Sequence, residues 1–273
     1  MPKPKRTFTL KPSIHDKRNY KHKDKKAVKF VEIPAIISHA GQIKRVYQQG
    51  NLGTCYSHAG VELMEQRRIA NGQPDIPLSR MFLSYVTRMV EANGNAKSPE
   101  MYTDNGATIL DTLKAMQQYG TVPEEMYAYK DNINYFKQIP SYNCKDLAPA
   151  LCFNVMLTTA NVNRVKEYIF MADLNDINES LAMGYDVIIG IEVYQNFKVY
   201  NSGIYSGSKG DSLLGGHAII IIGKNDNMQA YECLNSWGDD FGYNGRFYID
   251  YAFTEKCRAK YDAARVSLTS EPD

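Results

Sequence analysis

No part of the chain is apolar for long. The longest apolar run, Ala218–Ile222, is five residues, against the ~18 that a membrane-crossing helix needs. No membrane partner is therefore expected. The N-terminus, MPKPKRTFTLKPS, is basic but lacks an apolar h-region, so no signal peptide is expected. Cysteine is sparse and odd in number: five residues, at positions 55, 144, 152, 233 and 257. No CxxC pair exists, which argues against a zinc ribbon or a redox dithiol. His15, His22 and His39 are scattered over the N-terminal segment, and neither a metal nor a cofactor is expected. Gly207-Ser-Lys-Gly210 lacks the spacing of a phosphate loop and reads as a turn. A sparse, odd cysteine set without a signal peptide favours a reducing compartment.

What the 273-residue chain does have is an ordinary hydrophobic share, 44%, enough for a sizeable core. Its net charge of +2 conceals an uneven distribution. Residues 1–30 carry eleven Lys/Arg against Asp16 and Asp24, a balance of +9 that leaves −7 for the rest. Such a segment lacks its own core and reads as an arm. It is either a solvated or locally docked extension, or a binder of an acidic partner such as nucleic acid.

The pattern then divides. Val31–Ser38 reads as an extended segment, limited to a sheet edge by Pro34. A Gly-containing loop, Gln48–Thr54, leads at Cys55 into a helix closed by Gly72-Gln-Pro74. Ser79 is placed to cap a second helix, Arg80–Val90, and a third runs from near Ala107 to Gly120. A short helix spans Leu174–Met183. After it come VIIGIEVY, GGHAIIIIG, AYECLNSW and GRFYIDY, short β-branched and aromatic runs that predict antiparallel strands. The chain is therefore expected to be α+β, with a helical half before a β half. The boundaries predicted are an arm at 1–40, a helical subdomain at 41–145 and a β subdomain at 146–273.

Thiol catalysis needs a thiolate, a base, a group that orients the base and an oxyanion donor. Cys55 opens a helix, where exposed N–H groups and the macrodipole favour a thiolate. His217 follows a Gly-Gly pair at the start of an apolar strand, and Asn235 ends a neighbouring strand. The three would meet in a cleft between the halves. His58, three residues after Cys55, is better suited to packing or hydrogen bonding. Cys144, Cys152, Cys233 and Cys257 read as free thiols.

These residues resemble the papain-like cysteine peptidases. Gln49-Gly-Asn-Leu-Gly-Thr-Cys55 is similar to the nucleophile motif of that family, Gly216-His217-Ala218 to its histidine motif, and Asn235-Ser-Trp237-Gly to its N-S-W-G block. Asn105-Gly106-Ala107 resembles its N-G-G substrate segment. The variant is closest to the bacterial and viral-type branch. The resemblance implies a two-subdomain papain-like fold whose second half is an antiparallel, barrel-like sheet. It implies Cys55 as nucleophile, His217 as general base and acid, Asn235 as its orienter, and Gln49 as oxyanion donor with the Cys55 N–H. Trp237 would shield the His–Asn bond. Asn105, Gly106, Ala107 and Gly216 would contact substrate. Departures are Leu52 and Asp104 where the family has a disulfide, Tyr56 after the nucleophile, and Ala107 for a glycine. The expectation is a cysteine endopeptidase acting on protein or peptide inside a cell, in the cytoplasm or packaged in a virion. The alternatives are another amide or isopeptide hydrolase on a related fold, or a virion- or nucleic-acid-associated scaffold tethered by its arm.

Overall fold

The computed structural model describes residues 5–13, 32–141, 148–207 and 210–269. After the short strand β1 (Ile36–Ser38) come α1 (Cys55–Ala70), α2 (Arg80–Glu91), α3 (Ile109–Gln118), α4 (Ile133–Phe136) and α5 (Pro149–Ala160). Then follow β2 (Val165–Phe170), α6 (Leu174–Ala182), β3 (Val187–Tyr194), β4 (Ile204–Tyr205), β5 (Leu213–Asn225), β6 (Ala230–Leu234), β7 (Arg246–Asp250), α7 (Tyr251–Tyr261) and β8 (Ala263–Leu268). The helix starts follow local chemistry. Ser79, Thr108 and Asp173 each accept a backbone N–H from the first turn of α2, α3 and α6, satisfying donors that have no partner within the helix.

The strands form one open sheet in the order β2-β8-β3-β5-β6-β7-β4, with β1 paired to the far end of β5. All pairings are antiparallel except β4 with β7. Side chains alternate across a strand, and β5 uses both faces. Ala218, Ile220 and Ile222 join the core shared with the helices, whereas Ile219 and Ile221 join a second cluster with Ile191, Phe197, Trp237, Phe241 and Phe247. Helix α1 packs across β5. This long central strand is thus the partition between the halves, and His217 lies on it, paired with Ile191 of β3.

One expectation fails. Cys152 is disulfide-bonded, not a free thiol. Cys144 lies outside the described residues, and Cys55, Cys233 and Cys257 are free and buried. Pairing depends on how the backbone brings two thiols together, which spacing in a sequence does not reveal. A disulfide also removes the argument for a reducing compartment, because that argument rested on unpaired cysteines. No helix among the described residues is long and apolar enough to cross a membrane.

Candidate active site

Cys55 is the first residue of α1 and is fully buried. The N–H groups of Ala218, next to His217, and of Tyr56 lie near enough its sulfur to favour the thiolate. Burial nevertheless dominates and pushes the thiol up to about 12. His217 Nε2 is 2.8 Å from Asn235 Oδ1. That oxygen also accepts the Ser236 N–H at 2.9 Å, which fixes the orientation of the amide. Nε2 must then carry the proton, leaving Nδ1 with a lone pair and, among the described residues, no partner. Burial, aided by the nearby Arg6 cation, holds the imidazole down to about 4. Thiol and imidazole are therefore both neutral in this state. Trp237 packs on His217 with ring centroids 5.0 Å apart.

Gln49 is buried, with Nε2 donating to Leu52 O at 3.0 Å and Oε1 accepting from Ser236 Oγ at 2.8 Å. The strips around Gln49 and Trp237 are zipped together: Gln49 N–H donates to Ser236 O at 2.9 Å and Gly238 N–H to Tyr47 O at 2.8 Å. Leu52 and Asp104 are not bridged; Asp104 instead accepts the Gly53 N–H at 2.9 Å. His58 donates from Nδ1 to Thr54 O at 2.9 Å and packs edge-on to Tyr129, as expected of a packing residue.

The cleft is occupied by the arm. Leu10 N–H donates to Gly216 O at 3.2 Å and Lys11 N–H to Ala107 O at 3.0 Å. The pairings of Thr9 with Gly216 and of Lys11 with Thr108 are both parallel. Gly106, at φ +66°, is needed here, because a Cβ would come within 2.0 Å of Thr9 O. The carbonyls of Phe8 and Leu10 also press on Gly215 and Gly216, where a Cβ would come within 2.2 and 2.5 Å of them. Leu10 is buried against Gly190 and Gly216. Arg6 lies over the Trp237 ring at 4.4 Å, with Phe8 edge-on to it at 5.8 Å. Lys11 pairs with Glu91. Asn105 is exposed on the rim beside Gly106. No cluster of three metal-ligating side chains occurs among the described residues.

The family model for the papain family cysteine proteases matches residues 36–266, and the chain belongs to that family. A peptidase C1-like protein of Acanthamoeba polyphaga mimivirus is 26% identical over 237 residues, covering 82% of this chain and 68% of that protein. A cathepsin B-like protein of Giardia intestinalis is 25% identical over 218 residues, covering 79% and 67%. Among solved structures, the cysteine protease xylellain from Xylella fastidiosa superposes with a TM-score of 0.76 at 24% identity over 98% of both chains. Procathepsin L 3 of Tenebrio molitor superposes at 0.65 and 17% identity, over 97% of this chain and 76% of that one.

The sequence reading did not single out Ser236, Tyr129 or Asp131. Ser236 lies inside the N-S-W-G block and was in view. Tyr129 and Asp131 carry no local signal, because their partners lie about 80 residues upstream, from Gln49 to Thr54.

Proposed function

We propose that the chain is a cysteine endopeptidase held closed by its own arm. The observation that carries this is the His217–Asn235 bond, which leaves Nδ1 unpartnered, on the residue just before Ala218, whose N–H favours the thiolate of Cys55 at a helix N-terminus. With the arm displaced, water returns to the cleft and the burial cost on both groups falls. His217 Nδ1 takes the thiol proton, and the Cys55 sulfur attacks the substrate carbonyl carbon. The oxyanion is met by the Cys55 N–H and the second N–H of Gln49 Nε2. The C–N bond breaks, the amine leaves with the proton held on His217, and a thioester remains. Water, deprotonated by His217, attacks the thioester, and the proton returns to the sulfur. Trp237 keeps bulk water from the His–Asn bond. Ala107 and Gly216 would pair with a substrate backbone where they now pair with the arm, and Gly106 would leave room for it as it now does for Thr9.

The arm's +9 charge also motivated an acidic partner. In the described part Lys11 finds one in Glu91 of the chain's own body, and Arg6 finds an aromatic face. A nucleic-acid partner thus rests on charge alone.

The test is labelling of the folded full chain with an epoxysuccinyl thiol inhibitor, alongside peptide turnover. Leu10→Asp places a charge in an apolar seat worth roughly 1.5–3 kcal/mol to a leucine, so it should unseat the arm. The expected outcome is rapid labelling of Cys55 and peptide turnover in Leu10→Asp, slower reaction in the wild type, and neither in Cys55→Ala. Folded Leu10→Asp protein that neither labels nor cleaves would sink the reading. Cleavage of isopeptide bonds alone would favour the alternative hydrolase.

A further inference from the structure

We infer that Tyr129 and Asp131, on the turn before α4, are positioning residues for the oxyanion hole; the inference rests on the peptidase reading above. The two expected donors sit at opposite ends of one short loop: Gln49 at its start, and the Cys55 N–H just after Thr54. A loop with two glycines does not hold such ends at a fixed distance unaided. The Tyr129 hydroxyl touches both ends. It donates to Gln49 O at 2.7 Å and is 2.9 Å from Thr54 Oγ1. Because a carbonyl only accepts, the Tyr129 proton goes to Gln49 and the Thr54 hydroxyl donates to Tyr129. One oxygen atom therefore sets the span between the two donors.

Asp131 holds the middle of the loop. Its Oδ1 accepts the N–H groups of Asn51 at 2.9 Å and Leu52 at 3.2 Å, and its Oδ2 accepts Asn51 Nδ2 at 2.7 Å. Two consecutive N–H groups on one carboxylate oxygen make a small anion nest, here filled by the protein itself. Gly50 lies on the same carboxylate: at φ +68°, a Cβ would come within 2.2 Å of Asp131 Oδ2. From the other side Asp104 takes Gly53 N–H. Every residue from Gln49 to Thr54 is thus bonded to, or packed against, the turn at 129–131 or Asp104. The clasp reaches the arm too: with Asn51 Nδ2 committed to Asp131, Asn51 Oδ1 is presented to Lys5 N–H at 2.7 Å.

The experiment uses the full chain carrying Leu10→Asp, with Tyr129→Phe, Asp131→Asn or Asp131→Ala added. Four quantities are read: kcat and KM on a peptide amide, the rate of Cys55 alkylation by iodoacetamide, and the melting temperature. Alkylation displaces iodide directly and needs no oxyanion donor, so it separates the thiol from the hole. The expected result for Tyr129→Phe is a fall in kcat of about 10-fold or more, with KM and alkylation rate within about twofold. Asp131→Asn keeps an oxygen for the two N–H groups and should retain more kcat than Asp131→Ala. The inference is overturned by an unchanged kcat in both Tyr129→Phe and Asp131→Asn. A parallel fall in kcat and alkylation, or a loss confined to KM, overturns it as well. Asp131→Ala is the variant most exposed to misfolding, and Tyr129→Phe, one oxygen smaller, decides the case if it does not fold. The Leu10→Asp parent is measured first: if it cleaves nothing, the peptidase reading and this inference fail together; if it cleaves, only the inference is under test.

Discussion

Ser236 illustrates how much one hydroxyl decides. By donating to Gln49 Oε1 at 2.8 Å it fixes which end of the amide faces the cleft. Without it the amide is held only by the Nε2 bond to Leu52 O at 3.0 Å, and is less firmly kept from turning its oxygen towards a developing oxyanion. Ser236→Ala is expected to lower kcat about fivefold, the worth of about one neutral hydrogen bond, with little change in KM; steady-state kinetics in the Leu10→Asp chain checks this. At this scale the sequence was readable where chemistry imposes a local pattern. Cys55 at a helix start, His217 after two glycines, and Gln49 six residues before the cysteine all sit in such patterns. The roles of Tyr129 and Asp131 arise from a long-range approach of two loops, and no local periodicity encodes that. The bond at Cys152 was misread for the same reason.

At the scale of elements, α1 departs most from its sequence. Glu62, Glu65 and Gln66 lie among its apolar positions, yet every residue from Cys55 to Gln66 is buried. Glu65 is well supplied, accepting from Leu78 N–H and Tyr47 OH at 2.7 Å and from Arg45 at 2.9 Å. Glu62 has no partner on either oxygen among the described residues, and burial, with Glu65 beside it, pushes its carboxyl up to about 8. Its folded state therefore holds a proton that the unfolded chain releases near the ordinary carboxylate range. Stability from this group declines as pH climbs from about 4.5 to 8. Glu62→Gln should match the wild type in melting temperature near pH 5 and exceed it by several degrees at pH 9. A pH-independent difference would refute this. His217 acts with the opposite sign: held down to about 4, it subtracts stability as pH falls from 6.5 towards that value. Helix α1 was legible from the Gly-containing loop before it and Gly72-Gln-Pro74 after it, and α2, α3 and α6 from their local patterns. Helix α7 and strand β8 were not: α7 buries Phe253, Cys257 and Tyr261 but sends Lys256 and Lys260 back to Glu192 of β3, which blurs any stripe.

Over the whole molecule, the charge of the arm was a poor guide to its docking. Residues 5–13 are held chiefly by backbone pairing and by Leu10 and Phe8, while the basic residues act at the margins. The division into a helical and a β half was readable because the periodicity changes. That β5 would serve both cores and also the arm was not, since one apolar strand looks the same whatever covers it. The chain's single tryptophan, Trp237, lies under Arg6 and Phe8, so emission reports seating of the arm. Leu10→Asp should shift the fluorescence to longer wavelength and raise its quenching by acrylamide, whereas Cys55→Ala should leave both unchanged.

The arm is covalently part of what it covers. The 18 residues between Ser13 and Glu32 keep it at an effective concentration set by their length, not by how much protein is in solution. On the proposed reading closure is a first-order event: dilution should not open the cleft, and onset of activity in the intact chain should follow a rate independent of protein concentration. A single cut in that connecting stretch changes the reaction order. The arm becomes an ordinary dissociable peptide, and dilution alone then releases the enzyme.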